Sequence, residues 1–212
     1  ELPDCSTPRT KVTRGLLTCG WAASAGPCPL CDDGAMDLID RYSDAAEGFT
    51  VRLDAVGDDQ WTNPTPCTDW DVRQLVDHVI TIQRQIPEGL GVPVADDGTG
   101  AEEEWNAVRA AAVEALRQPG VLERTMPGRA GDVPVEMALM PRLSDLILHS
   151  WDLARATGGD EGVDADTAAV VLEFLKPNDE ILRSSGTFGP KIDPPAGADA
   201  AVELLCFTGR RP

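Results

Sequence analysis

RLSDLILHSWDLARATG, residues 142–158, holds one of only two histidines in a chain of 212 residues. Apolar residues recur through it so densely that it reads as a helix buried on most sides, with Gly158-Gly159 as its terminator. Asp145 and His149 stand at i and i+4, so on a helix both side chains leave one face, one turn apart. A carboxylate and an imidazole so placed either grip one metal ion or simply hydrogen-bond to each other.

Upstream, the helix begins near Pro134, and Pro141 either kinks it or marks its effective first turn. From Met36 a separate 3.6-residue stripe of Leu38, Tyr42, Ala46, Phe49, Leu53 and Val56 predicts a first helix. TDWD at 68–71 fits a capping box opening a second, whose core face is Val72, Leu75, Val76, Val79 and Ile82. His78, the other histidine, lies at the edge of that face and turns inward. A Gly/Pro/Asp loop over 87–100 precedes a third helix carrying Trp105, Val108, Ala112, Ala115 and Leu116, stopped by Pro119-Gly120. Residues 126–134 form a loop or a short extended piece. Asp164 to Asp166 caps a helix ending at Lys176, followed by short helices near 180–183 and 198–207. No convincing strand alternation or repeat appears, so the expected class is all-α: an up-and-down four-helix bundle with short additional helices.

Composition narrows the function. Asp and Glu number 36 against 18 Lys and Arg, a formal charge of −18. Such a field repels a phosphate backbone and an anionic membrane surface, so neither nucleic acid nor membrane is an expected partner. No apolar run approaches bilayer length, which predicts a soluble protein. Residues 15–25 imitate a signal peptide, but the apolar part is short and broken by Gly and Thr, and acids precede it. Six scattered cysteines point to a reducing cytoplasm rather than a disulfide scaffold. Cys28 and Cys31 have the spacing of half a zinc site or of a redox pair, without a second such pair to complete it. Residues 1–35 show no sustained periodicity and are expected to be an irregular extension; residues 36–212 are the expected bundle.

His78, Asp145 and His149, from two neighbouring helices, would make a three-ligand site with one coordination position left for water or substrate. The plainer reading is a core histidine hydrogen-bonded to a backbone carbonyl, with Asp145 simply accepting a bond from His149. WTNPTPCTDWDVRQLVDHV (61–79), DLILHSWDLARATG (145–158) and FGPKIDPPAGADAAVELLCFTGRRP (188–212) resemble the actinobacterial branch of the DinB-like superfamily. That branch is related to the N-terminal domain of mycothiol-dependent maleylpyruvate isomerase, and the resemblance covers residues 36–212. It implies a four-helix bundle with a divalent metal, usually zinc, held by a histidine of the second helix and a later acid-xxx-histidine pair. Those positions fall on His78, Asp145 and His149; the isomerase has glutamate where this chain has Asp145. It further implies mycothiol as the thiol cosubstrate, with thiol transfer or isomerisation of a small molecule as the reaction. A non-catalytic metal-binding bundle or a metal-dependent hydrolase is the alternative, and a homodimer is a compatible assembly. The sequence leaves no residues for the isomerase's second, C-terminal domain, so that particular substrate is not expected.

Asp152, at i+3 from His149, supports that ligand or polarises an incoming group. Arg155, at i+3 from Asp152, either joins the chemistry or forms a surface salt bridge with Asp152. These two are the expected catalytic residues. Trp70, Trp105 and Trp151 are read as core, and Cys67 as an inert buried cysteine with a nucleophile as the alternative.

Overall fold

The computed structural model describes residues 33–212 apart from residues 68, 96–99, 129, 130 and 185. The expectations about the signal-like stretch, Cys28 and Cys31 lie outside the described residues. Helices α1 (Asp33–Leu53), α2 (Val72–Leu90), α3 (Ala101–Leu116) and α4 (Val135–Thr157) make the bundle, and α5 (Ala165–Leu175), α6 (Asp179–Ser184) and α7 (Ala200–Phe207) follow. The principal contacts run α1 to α4, α4 to α2, α2 to α3 and α3 to α1. The four helices therefore close a ring in which the α1–α2 and α3–α4 connections join helices facing each other across it.

The stripe from Leu38 to Val56 is buried as its period requires. Inside the ring, Phe49 meets Trp105 edge to face at 4.7 Å, and the Trp105 indole donates to Thr50 Oγ1 at 2.9 Å. On α2 the buried face differs from the expected one. Gln83, not Ile82, is fully buried, and the helix runs through Pro87 to Leu90 before Gly91 ends it in the left-handed conformation. Pro87 cannot donate to the Gln83 carbonyl four residues back, but that removes a single bond in the last turn, and the helix continues to Leu90. The capping box sits later than expected. Asp71 accepts from the Gln74 amide at 2.9 Å while the Gln74 side chain accepts from the Asp71 amide at 3.0 Å.

Residues 126–134, expected as a loop or a short extended piece, fall in a hairpin of β1 (Thr125–Gly128) and β2 (Gly131–Pro134), with Met126 opposite Val133. Four-residue strands holding Pro and Gly are too short to show an alternating pattern. α4 starts directly at Val135 and passes through Pro141 without a break. Gly158 ends it at φ 72°, as its sequence predicts. Its last carbonyls are claimed from the α1–α2 connection: Asn63 Nδ2 donates to Ala156 O and Gln60 Nε2 to Thr157 O, at 3.0 and 2.9 Å. Those bonds satisfy groups every helix C-terminus leaves open and fix that connection against α4.

Gln83 links three helices: its carbonyl accepts from Tyr42 OH of α1 and its amide donates to Arg142 O of α4, both at 3.1 Å. Replacing Gln83 by Leu strands the buried phenol, so it is expected to cost about 1–3 kcal/mol in urea unfolding. Adding Tyr42→Phe should return part of that loss; a double variant less stable than Gln83→Leu alone would show that the phenol was not the stranded group.

Candidate metal centre

α2 and α4, adjacent in the ring, bring His78, Asp145 and His149 together, with one ligand atom from each within 4.8 Å of the others. Asp145 is central. Its Oδ1 lies 3.0 Å from His78 Nε2 and 3.5 Å from His149 Nε2. Its Oδ2 is buried with no hydrogen-bond partner among the described residues. Leaving a carboxylate oxygen in that state costs on the order of 1–3 kcal/mol. Burial pushes the Asp145 pKa up, but the hydrogen bonds and charges of His149 and His78 outweigh it and hold the group at about 2.

His149 is held from its other side as well. Its Nδ1 lies 2.9 Å from Asp152 Oδ2, and Asp152 is fully buried. Arg210 closes on the same carboxylate in a fork, Nε to Oδ1 at 2.9 Å and NH2 to Oδ2 at 2.6 Å. Burial pushes the Asp152 pKa up, and the bonds from His149 and Arg210 hold it below the usual carboxylate value. Burial lowers the His149 pKa, but Asp145, Asp152 and Cys67 together raise it well above 6.5.

The loop before α2 supplies two more groups. Thr65 folds it tightly, its hydroxyl donating to Cys67 O and Trp70 O. That places Cys67 Sγ 3.4 Å from Asp152 Oδ2 and 3.9 Å from His149 Nδ1. It also lays the Trp70 indole 4.4 Å from the His78 ring at a tilt of 34°. Trp105 and Trp151 are core, as expected, but Trp70 is a half-buried wall of the site, and Cys67 is half-buried in the same cleft rather than sealed away.

Arg155 is placed elsewhere. Its guanidinium pairs with Glu161 at 2.9 Å just past the end of α4, and it neither lines the cleft nor reaches Asp152. Arg210, which sequence reasoning missed, takes the partner role instead. The chain turns to deliver it through a Schellman motif closing α7: Arg210 N bonds to Leu205 O, Gly209 N to Cys206 O, and Gly209 sits at φ 88°. The signal was present in the closing TGRRP, where a glycine after a helical run precedes two arginines.

Cys67, His149 and Asp152 form a second group close enough to hold an ion. Both Asp152 oxygens are already taken by Arg210, so an ion there would have to displace a buried guanidinium. The first trio has an oxygen to spare, two imidazoles and room toward the cleft, and its donor set suits zinc. Asp152 accepts from His149 Nδ1–H, which leaves Nε2 directed at Asp145, the orientation a carboxylate behind a ligating histidine would impose.

Comparison with known proteins places the chain in a family. The model described as the mycothiol maleylpyruvate isomerase N-terminal domain matches residues 42–118, a span that includes His78 and ends before Asp145 and His149. Two proteins from two strains of Mycobacterium tuberculosis, both described only as uncharacterized, are 31% identical over 184 residues, covering 82% of this chain and 98% of theirs. The chain belongs to the mycothiol maleylpyruvate isomerase N-terminal domain family. No solved structure matches it. Among the described residues, no helix is long and apolar enough to cross a membrane.

Two variants test the support of His149. Arg210→Met leaves a buried charge without its partner and is expected to cost about 3–5 kcal/mol. Because the folded pKa of Asp152 lies below its ordinary 3.8, the pair stabilises fully above that pH and loses its effect as pH falls through the folded value. The gap in melting temperature between wild type and variant should therefore narrow in acid. Gly209→Ala puts a Cβ 3.0 Å from Pro190 O at positive φ, and should destabilise in the same direction without removing any charge.

Proposed function

We propose that this protein is a metal- and thiol-dependent enzyme of the transferase or isomerase type, with a divalent ion, zinc by donor chemistry, held by His78, Asp145 and His149. One observation carries the reading: Asp145 directs Oδ1 at two imidazoles while its Oδ2 is buried with no partner among the described residues, a costly arrangement for a purely structural carboxylate and an ordinary one for a ligand. Bound there, a divalent cation supplies the positive charge that lowers the pKa of an incoming thiol and so provides a thiolate nucleophile at neutral pH. The family supports mycothiol as that thiol, and the cleft beside the trio, about 970 Å³, is far larger than a water molecule needs.

The chain's own groups have separable roles in this reading. His78 and His149 are ligands from different helices, so the spacing of α2 and α4 sets the site. Asp152 is a positioning residue that acts through His149, since its oxygens are committed and fully buried. Arg210 holds Asp152. Arg155 has no part. The unit that carries all of this is proposed to be residues 36–212.

Metal analysis of purified protein should find one divalent ion per chain, retained after removal of residues 1–35 or after Cys28→Ser with Cys31→Ser, and lost in His149→Ala. Loss in the cysteine variant and retention in His149→Ala would move the site to the N-terminal segment. Asp152→Asn should weaken metal binding about 10–100-fold while the variant still folds. On the cobalt-substituted protein, mycothiol should produce a sulfur-to-metal charge-transfer band that His78→Ala lacks. An unchanged spectrum together with turnover of an ester or amide would make the enzyme a hydrolase instead.

A further inference from the structure

The cleft beside the trio has the size of sites that take drug-sized molecules, and its two ends differ in chemistry. At one end stand Cys67, the trio and the Asp152–Arg210 pair. From there Leu148, Pro141 and Met137 continue along one stripe of α4, and at 1.5 Å per residue Met137 stands about 12 Å up the helix from Asp145. Phe174 of α5, Ile181 of α6 and Phe188 also line the cleft. Met137 is 60% and Ile181 69% exposed. Single exposed apolar side chains are ordinary, but two on one cavity, with phenylalanines on the same walls, make a continuous surface that a ligand would cover.

The charges point the same way. Among the described residues that line the cleft, Arg210 is the only lysine or arginine, and Asp152 neutralises it through a two-point bond. Asp69 and Asp145 add negative charge to the lining. Beyond the ion itself, which the thiolate would occupy, a dicarboxylate would find no free lysine or arginine here and would enter against a chain of charge −18. A neutral molecule meets no such barrier.

Building on the thiol reading above, we propose that the substrate partnered with the thiol is an uncharged molecule with an apolar body and one small electrophilic head, and not a dicarboxylate. The apolar body lies along Met137, Pro141 and Ile181, and the head reaches the trio.

The test titrates cobalt-loaded full-length protein with phenylmethanethiol, 2-mercaptoethanol and mercaptosuccinate, following the charge-transfer band. Phenylmethanethiol should bind on the order of tenfold more tightly than 2-mercaptoethanol, with mercaptosuccinate the weakest. Ile181→Glu and Met137→Glu, at exposed positions that leave the core intact, should weaken phenylmethanethiol about tenfold and leave 2-mercaptoethanol unchanged. Mercaptosuccinate binding as tightly as phenylmethanethiol, or a loss shared equally by all three thiols, overturns the assignment. If no thiol alters the spectrum, the thiolate reading fails by itself, and calorimetry with 2-phenylethanol and maleate then decides the substrate class. Binding of the alcohol that Ile181→Glu removes supports an apolar occupant; binding of maleate, or no binding of the alcohol, overturns it.

Discussion

His149 is held at both ring nitrogens, and the rest of the site follows from that. Nδ1 is anchored on the buried Asp152, and Nε2 faces Asp145 one turn back on α4, where His78 of α2 meets the same carboxylate. An untethered imidazole swings about its χ angles; one anchored at Nδ1 presents Nε2 in a single direction. The anchor is itself a buried carboxylate, which a protein interior tolerates only when it is paired. The pairing comes from the far end of the chain, through Arg210. A histidine read from residues 142–158 is therefore held in place by a turn at residues 208–210, because a buried Asp152 stays deprotonated only when its charge is compensated.

This dependence explains the extension of the fold beyond four helices. The bundle supplies the core and the α2–α4 spacing, but it contributes no cation at Asp152. Helices α5 and α7, which pack against each other, carry the C-terminal segment back over the open side of α4. That cover does two things at once: it brings Arg210 to Asp152, and it brings Phe174, Ile181 and Phe188 to the other wall of the cleft. Site and cleft are products of one packing arrangement.

The legible and illegible parts of the sequence divide along the same line. The α1 stripe, the Asp145–His149 pair and the Gly158 stop depend on spacing within one helix, and periodicity reports them directly. Gln83 in the core was illegible because its burial is made acceptable by Tyr42 and Arg142, on other helices. The passage of α2 through Pro87 and the hairpin at residues 125–134 were missed because propensity near an element's end is overruled by packing. Arg155 and Arg210 show the limit most clearly. Spacing offered Arg155 to Asp152 at i+3, yet Glu161 takes it, and the true partner lies 58 positions away, a separation that no local pattern encodes.

α4 has to be both the central core helix and the wall of the site, and its polar residues show how that is reconciled. Ser144 and Ser150 turn their hydroxyls onto the carbonyls of Met140 and Leu146, at 2.8 and 2.7 Å, so neither needs a partner outside the helix. Asp152 is satisfied by Arg210 and His149. Pro141, on the cleft wall, withholds the N–H that would have bonded to the carbonyl of Met137. The second oxygen of Asp145 has no partner among the described residues, whereas the hydroxyls of Ser144 and Ser150 and both oxygens of Asp152 are bonded; buried Arg142 Nε is the other side-chain atom of this helix left without one. A carboxylate with one oxygen facing two imidazoles and the other buried without a partner is the geometry that supports the proposed cation site.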